Sequence, residues 1–304
     1  MTIPDYHGII PPMVTPLRDR DALDVPGLER LVEHILDGGV HSLFILGTTG
    51  EAPSLSYRLR RDLIDRVCRQ VGGRVPVLVG ITDTAFVESV ELARHAAASG
   101  AQALVVAPPY YFPAGQPELL EYFQHLAAEL PLPMFLYNMP AMTKLVIEPD
   151  TVRACRGIAN IIGVKDSGGD LKYFQRVLEI ARERSDWRVF VGPEEHTAET
   201  VRMGGHGGVN GGANVCPRLF VDQFEAASRG DSARVRELQA KIRQVDKLYR
   251  IGRHASAIVK GLKCALSLLG ICDDFMAEPF HRFSEPERKK VRDVLGELGL
   301  HSAA

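Results

Sequence analysis

The sequence lacks the features that mark secreted, membrane-spanning and disulfide-bonded proteins. The chain has 304 residues, and its five cysteines form no CxxC pair and follow no regular spacing, which is typical of reduced thiols. The longest apolar runs, such as 103–109, are too short to span a bilayer, and the N-terminus carries no basic stretch followed by an apolar one. We therefore predict a cytoplasmic protein without a signal peptide.

The sequence also has little net charge. Its 36 lysines and arginines nearly balance its 38 aspartates and glutamates, so that the formal net charge is -2. This balance gives no electrostatic reason to expect a nucleic acid or an anionic membrane as a partner, and we expect neither. The hydrophobic fraction of 45% is ordinary for a globular protein.

Motifs that bind nucleotides or catalytic zinc are missing as well. No glycine-rich turn follows the first predicted strand, and the GTTGE turn at Gly47–Glu51 lacks the GK[ST] ending of a P-loop. The ten histidines include no HExxH, and the best local cluster of metal-ligand types, Glu194–His196, is interpreted as the start of a solvent-exposed helix. We therefore expect no metal and no cofactor.

What the sequence does contain is an alternation of eight short apolar runs with amphipathic helical patterns. Strands that are apolar throughout are typical of a parallel sheet covered by helices, which indicates an α/β fold. Eight such strands within about 230 residues favour a (β/α)8 TIM barrel over an open sheet. The predicted strands are 8–12, 42–46, 75–80, 103–107, 134–138, 161–165, 188–191 and a weaker one at 207–211.

The strand pattern ends near Gly230, and the rest of the chain has helical patterns only. These patterns lie at 231–250, 255–269 and 285–298. We interpret them as a C-terminal three-helix appendage. The sequence therefore predicts a catalytic (β/α)8 barrel at 1–230 and a helical domain at 231–304.

Lys165 is the strongest chemical signal in the sequence. The chain has only nine lysines against 27 arginines, and Lys165 alone closes an apolar strand, 161–165. The active site of a barrel lies at the C-terminal ends of its strands. Partial burial there lowers the pKa of a lysine and supplies the neutral amine that attacks a ketone. The alternative is a structural lysine that pairs with Asp166 or another carboxylate.

Two further strand ends carry polar groups suited to the same chemistry. Tyr137 lies one residue from the end of its strand, and a tyrosine hydroxyl linked to a threonine hydroxyl can relay the protons of carbinolamine formation. Its alternative role is that of a core aromatic. The backbone N–H groups and hydroxyls of the turn Gly47–Glu51 could hold a carboxylate, although an ordinary βα turn has the same composition.

Five motifs, taken together, carry a family resemblance. They are GTTGE at 47–51, PPYY at 108–111, YNMP at 137–140, GVKDSGGD at 163–170 and GGHGGVNGGANV at 204–215. In this order and at this spacing they make the whole chain resemble the dihydrodipicolinate synthase and N-acetylneuraminate lyase family. The resemblance implies a class I lyase that forms a lysine Schiff base with pyruvate or a related 2-oxo acid and needs no metal.

The resemblance also implies roles for individual residues. Lys165 would be the Schiff-base lysine, Tyr137 the proton-transfer residue at the substrate carbonyl, and Thr48 the relay hydroxyl. Thr49, with Gly47 in the same turn, would bind the substrate carboxylate.

Other implied roles concern the pocket wall and the assembly. Val209 and Gly192 match positions that line the pocket in the family. Tyr111 matches the position that reaches into the site of a neighbouring subunit and completes the proton relay. Family members are usually homotetramers, built as a dimer of dimers, and we expect the same assembly here.

Met142 is the one departure from the family pattern. Members that condense pyruvate with aspartate semialdehyde usually carry an arginine five residues after the YNxP tyrosine, and this sequence has Met142 there. A thioether cannot form a charge-assisted pair with a carboxylate. The resemblance therefore favours an aldolase or dehydratase acting on a 2-oxo-3-deoxy sugar acid or a related 2-oxo acid. It disfavours 4-hydroxy-tetrahydrodipicolinate synthase, although another basic group could replace the arginine.

Two alternatives of other classes stay open at this point. One is a metal-dependent barrel aldolase or isomerase, and the other is a non-catalytic barrel that only binds a ligand. The glycine-rich stretch 204–212 permits either a phosphate site near the last strands or tight packing of the eighth strand.

Overall fold

A closed ring of parallel strands organises the molecule. The computed structural model describes residues 4–301, and in it eight strands form one parallel sheet while two more form a separate antiparallel hairpin. The strands are β1 (Gly8–Ile9), β2 (Leu17–Asp19), β3 (Ala22–Leu23), β4 (Leu43–Ile45), β5 (Val77–Gly80), β6 (Ala103–Val106), β7 (Met134–Asn138), β8 (Ile161–Asp166), β9 (Arg188–Val191) and β10 (Gly207–Gly208).

The sheet closes on itself and so forms the predicted barrel. Strands β4 to β10 follow one another in chain order, and β1 pairs with β10. A parallel bridge between Pro12 and Phe44 joins the two ends of the sheet, and the Met13 N–H donates to the Phe44 carbonyl oxygen over 2.8 Å. The prediction of an α/β TIM barrel is therefore confirmed.

Five of the strands are shorter than predicted, two of them, 42–46 and 103–107, by no more than one residue at either end. The runs 8–12 and 75–80 each contain proline, which has no N–H to donate to the ladder, and only Gly8–Ile9 and Val77–Gly80 are strand. The run 207–211 is strand at only two glycines, and residues from Gly211 onward form a turn of 3-10 helix. The structure thus supplies eight strands in the predicted order with tighter bounds.

Helices surround the barrel and continue beyond it. Those within residues 4–301 are α1 (Val25–Asp37), α2 (Tyr57–Val71), α3 (Phe86–Ala98), α4 (Gln116–Glu129), α5 (Pro140–Thr143), α6 (Pro149–Arg156), α7 (Leu171–Ala181), α8 (Thr197–Arg202), α9 (Pro217–Ser228), α10 (Ser232–Asp246), α11 (Ala257–Leu268) and α12 (Glu285–Glu297). Short 3-10 helices lie at Ala52–Ser54, Glu194–His196, Gly211–Asn214 and Lys247–Arg250. Across the described residues, no helix combines the length and the apolar character needed to cross a bilayer.

The last three helices are the predicted appendage, and they share the core of the barrel. Ile242 and Val245 of α10 and Leu262 of α11 are fully or almost fully buried in the same apolar cluster as the barrel helices. The domain boundary itself stays a proposal. It falls at the turn of Gly230 between α9 and α10, and its outer bounds, residues 1 and 304, lie outside the described residues.

A strained turn follows β4 and leads into the GTTGE motif. Leu46 has φ 58°, in the left-handed region that a leucine rarely occupies and that costs about 1–3 kcal/mol. Its carbonyl oxygen packs directly against Gly80 at the end of β5, where a Cβ atom would overlap it. The absence of a side chain at Gly80 therefore allows β4 and β5 to bring this turn to the barrel mouth.

We expect Gly80→Ala to lower the free energy of unfolding by about 1–3 kcal/mol, because the added methyl group must displace backbone. Gly296→Ala is the matched control, since Gly296 lies on exposed α12 with free space around it, and it should be neutral or stabilising. Urea denaturation followed by circular dichroism measures both midpoints. Equal midpoints for the two variants would contradict this account of the turn.

Candidate active site

Lys165 lies at the C-terminal end of β8, inside the barrel mouth. Its register partner on β7 is Tyr137, and its side chain is only 6% exposed. The Nζ atom lies 3.9 Å from the centre of the Tyr137 ring and 4.9 Å from the centre of the Phe44 ring. The ends of β7 and β8, together with β4, thus place the Lys165 amine next to the rings of Tyr137 and Phe44.

The surroundings of Lys165 favour a neutral amine. Burial lowers the pKa of Lys165, and the nearby Tyr137 opposes this only in part. Asp166, which could have paired with the lysine, instead accepts hydrogen bonds from Asn138 Nδ2 over 2.7 Å and from the Gly168 N–H over 3.0 Å. In the part of the chain that the structure describes, no carboxylate is among the groups that raise the pKa of Lys165.

The Tyr137 hydroxyl lies within reach of a second hydroxyl. It is 3.3 Å from Thr48 Oγ1, and either atom could be the donor. Burial by itself raises the pKa of Tyr137. When Lys165 is protonated, its charge and hydrogen bonds with Thr48, Ser167 and Lys165 outweigh burial, so that the pKa falls below its usual value. A tyrosine with a lowered pKa next to an amine can exchange protons with it.

A hydrogen-bonded pair immediately beyond these two residues fixes the ends of β7 and β8. Asn138 is fully buried, and besides donating to Asp166 its Oδ1 accepts from the Ile147 N–H over 3.1 Å. The Ser167 N–H donates to the Asn138 carbonyl oxygen over 2.8 Å. These bonds hold the backbone directly after Tyr137 and Lys165, which helps both side chains to keep their relative position.

An open cavity of about 470 Å³ lies in front of Tyr137. Thr48, Gly47, Tyr137, Tyr110 and Met142 are among the residues that line it. Lys165 is not part of this wall, but the two rings that its amine contacts, those of Tyr137 and Phe44, both are. The volume is in the ordinary range for a small-molecule site.

The structure does not bring all the predicted site residues to this cavity. Thr49 is half-buried in the GTTGE turn but is not part of the cavity wall. Val209 is buried in the apolar cluster inside the barrel, together with Phe44 and Tyr137. Gly192 is bonded to other barrel residues, through its N–H to the Asp166 carbonyl oxygen and through its own carbonyl oxygen to Asn210. Their roles stay predictions.

Tyr111 is also separate from the cavity within this one chain. Its side chain is 79% exposed, and its ring packs edge-on against that of Phe112, which is 80% exposed. The preceding residue, Tyr110, lines the cavity in its place. A role for Tyr111 in a neighbouring subunit therefore stays a prediction as well.

Comparison with known proteins decides the family. A family model described as the dihydrodipicolinate synthetase family matches residues 5–298, almost the whole chain. The chain belongs to the dihydrodipicolinate synthetase family. It is therefore an enzyme of the class I lyase and aldolase type that acts on small 2-oxo acids.

Several relatives in this family are similar along their whole length. A dihydrodipicolinate synthase structure from Bacteroides thetaiotaomicron is 54% identical with a TM-score of 0.94, over 98% of this chain and 100% of that one. YagE, a prophage protein of the family from Escherichia coli K12 solved with pyruvate, is 30% identical with a TM-score of 0.92, over 97% and 99%. The probable 2-dehydro-3-deoxy-D-pentonate aldolase YjhH of the same strain is 30% identical over 97% and 98%.

A buried ion pair that sequence reasoning missed anchors the GTTGE turn of this family member. Glu51 ends the turn with φ 57°, and its carboxylate accepts from Lys263 Nζ over 2.6 Å and from the Ala277 N–H over 2.8 Å. Lys263 is fully buried on α11. The ion pair thus connects the GTTGE turn of the barrel to helix α11.

The cluster Glu194–His196 is also different from its prediction. The expected helix start is present and Glu195 is exposed. The expected exposure is wrong for Glu194, which is buried and whose Oε1 accepts from the Gly212 N–H and the Tyr249 hydroxyl, each over 2.5 Å. Burial raises the pKa of Glu194 to about 7. Within residues 4–301, no three His, Cys, Asp or Glu side chains are grouped to hold a metal ion.

We expect Lys263→Met to lower the free energy of unfolding by about 3–5 kcal/mol, because it leaves the Glu51 carboxylate buried without its partner. The double variant Glu51→Gln, Lys263→Met removes both charges and should recover a large part of that loss. Urea denaturation of the two variants and of the unchanged protein measures the difference. A double variant less stable than Lys263→Met would contradict the pairing.

Proposed function

We propose that this enzyme forms a Schiff base between Lys165 and pyruvate or a related 2-oxo acid. The observation that carries the proposal is the buried Lys165 amine, whose pKa burial lowers and which lies 3.9 Å from the Tyr137 ring without a carboxylate partner. A neutral amine of this kind adds to a ketone carbon, and loss of water then gives the imine. The pyruvate in the YagE structure is consistent with this substrate class.

The neighbouring hydroxyls suit the proton transfers that imine formation requires. Tyr137 would protonate the departing carbinolamine oxygen, and Thr48, 3.3 Å from its hydroxyl, would relay the proton outward. Thr49 and Gly47 would hold the substrate carboxylate through the hydroxyl and backbone N–H groups of their turn. Tyr111 would complete the relay from a neighbouring subunit.

We propose aldol cleavage or condensation, or dehydration, of a 2-oxo-3-deoxy sugar acid or a related 2-oxo acid as the reaction. The name of YjhH, a probable pentonate aldolase, supports this branch of the family. The position of Met142 supports it too, since this residue lines the cavity where a synthase would place an arginine.

The second candidate is 4-hydroxy-tetrahydrodipicolinate synthase, which condenses pyruvate with aspartate semialdehyde. The 54% identity with the structure titled dihydrodipicolinate synthase favours it. The methionine at position 142 disfavours it, because the carboxylate of that substrate would then lie against an apolar wall. A non-catalytic binding role is weaker still, because Lys165, Tyr137 and Thr48 lie together in a geometry suited to chemistry.

The assembly and location that we propose are a homotetramer, built as a dimer of dimers, in the cytoplasm. The exposed aromatic pair Tyr111 and Phe112 supports an interface at that loop, because two aromatic rings about 80% exposed are costly to leave in water.

We expect Lys165→Ala to abolish activity and borohydride trapping of pyruvate while the protein stays folded, because no amine remains to form the imine. Lys172→Ala is the matched control, since it removes an exposed lysine of α7, and it should trap pyruvate normally. Intact-mass spectrometry after reduction measures the adduct. Full activity in Lys165→Ala would rule out the mechanism.

We expect Tyr137→Phe to lower turnover by about two to three orders of magnitude, the usual scale for a group that transfers a proton. The ring that contacts Lys165 is retained, so the fold and the pyruvate site should be preserved. Steady-state kinetics with a 2-oxo acid substrate measures the effect. An unchanged turnover number would remove Tyr137 from the proton relay.

We expect poor activity with pyruvate and aspartate semialdehyde, and at least a tenfold gain in Met142→Arg because an arginine can pair with the carboxylate. Val146→Arg is the control, since Val146 is 41% exposed, as Met142 is at 38%, and does not line the cavity. A coupled assay for the condensation product measures all three proteins. Efficient condensation by the unchanged protein would establish the second candidate function.

A further inference from the structure

Five of the residues that line the cavity form an apolar wall. Met139 directly precedes the short helix α5, and Met142 lies within it. Val259 belongs to α11, and Met276 and Phe280 lie after α11. Val259 and Met276 are 8% and 3% exposed. The C-terminal segment therefore closes the site with hydrocarbon and thioether groups.

Several polar groups along the cavity already have partners in the protein. Thr82 Oγ1 accepts from the Ala107 N–H over 2.9 Å, and Thr143 Oγ1 donates to the carbonyl oxygens of Met139 and Leu145. The Glu51 carboxylate is bonded to Lys263 and Ala277, as described above. A ligand that needed hydrogen bonds from these groups would have to compete with bonds already made.

The remaining polar side chains along the cavity are those of Thr48, Ser54, Tyr110, Tyr137, His254 and Ser256. Thr48, Tyr110 and Tyr137 line the cavity where the 2-oxo acid would bind. Ser256 is half-buried and His254 is exposed. Hydroxyl groups thus remain beside Tyr137 and at Ser54 and Ser256, whereas the five residues of the apolar wall offer mainly apolar contact.

Charge is distributed in the same way. Neither lysine nor arginine is among the residues that line the cavity, and Glu51 is the single acidic one. The charge of Glu51 is matched by buried Lys263. A second substrate with a carboxylate would lose its hydration there without gaining a cationic partner, which is unfavourable.

We propose that the second substrate is an uncharged aldehyde with an alkyl or aryl group, which packs against Met139, Met142, Val259, Met276 and Phe280. This inference rests on the proposed Schiff-base function and specifies its substrate class. Of the substrates proposed above, it selects the related 2-oxo acids whose aldehyde half is alkyl or aryl over the 2-oxo-3-deoxy sugar acids. Each hydroxyl of a sugar aldehyde would lose water at this wall without a matching partner.

The reaction balances without any other reactant. Pyruvate and the Lys165 amine form the imine and release one water, and loss of a methyl proton gives the enamine. The former methyl carbon then bonds to the aldehyde carbon, and the aldehyde oxygen takes up a proton. Hydrolysis returns the water, frees the amine and releases a 4-hydroxy-2-oxo acid, and the reverse sequence is the cleavage reaction.

The test compares four aldehydes as partners of pyruvate. Butanal and benzaldehyde represent the apolar class, glyceraldehyde the hydroxylated class and succinic semialdehyde the carboxylated class. We expect kcat/KM to be at least about tenfold higher for an apolar aldehyde than for either polar one, a difference that a few hydrocarbon contacts can supply. Chromatography of the 4-hydroxy-2-oxo acid product measures each rate.

A pair of variants locates the effect at the wall. Phe280→Ala should lower kcat/KM for the apolar aldehydes about tenfold and change that for glyceraldehyde little, because it removes apolar contact only. Ile258→Ala is the control, since Ile258 is 38% exposed against 39% for Phe280, lies beside Val259 on α11, and does not line the cavity.

Borohydride trapping of pyruvate separates the two levels of the proposal. If pyruvate is trapped on Lys165 but a hydroxylated or carboxylated aldehyde is preferred, or no aldehyde is accepted, the inference about the second substrate is overturned and the Schiff-base function stands. If pyruvate and larger 2-oxo acids are not trapped at all, the proposed function fails, and the inference fails with it.

Discussion

The burial of one lysine amine against a tyrosine ring is the interaction on which the rest of the site depends. A lysine in water is a cation and is unreactive towards ketones, but Lys165 is 6% exposed and burial lowers its pKa. The Tyr137 ring lies 3.9 Å from the amine and offsets the effect of burial only in part. The position of Lys165 in the barrel thus favours the neutral amine that the proposed Schiff-base chemistry requires.

The surrounding structure keeps charges away from that amine by pairing them elsewhere. Asp166 is held by Asn138, and Glu51 is held by Lys263 and the Ala277 N–H. The two arrangements lie on opposite sides of the barrel mouth, one at the ends of β7 and β8 and the other between the turn after β4 and α11. Each arrangement satisfies a buried carboxylate within the protein, and the second one joins the C-terminal helices to the barrel.

Much of this arrangement could be predicted from the sequence, because it depends on local patterns. Apolar runs at regular intervals predicted the eight strands, and the position of Lys165 and Tyr137 at two strand ends predicted that both face the barrel mouth. The end of the first strand could not be predicted from this pattern. Pro11 and Pro12 are apolar like the residues before them, but they have no N–H to donate, and Pro12 forms only an isolated parallel bridge with Phe44.

Other features could not be predicted, because they join residues far apart in the chain. Glu51 and Lys263 are 212 positions apart, and each on its own resembles an ordinary surface charge. Glu194 lies in the barrel and Tyr249 in the C-terminal region, and nothing in the sequence shows that the two side chains meet. The sequence alone therefore indicates a solvent-exposed acidic pair at 194–195. The apolar cavity wall likewise combines residues of α5, of α11 and of the segment after α11. No hydrophobic periodicity in the sequence links these segments.

The most direct test of the proposed Schiff base at Lys165 is a structure determined from crystals that have been soaked in pyruvate. The account predicts continuous electron density from Lys165 Nζ to the second carbon of pyruvate, with the carboxylate on the turn of Thr48 and Thr49 and the Tyr137 hydroxyl beside the new imine. Pyruvate bound without a covalent bond, or attached to a different lysine, would contradict it.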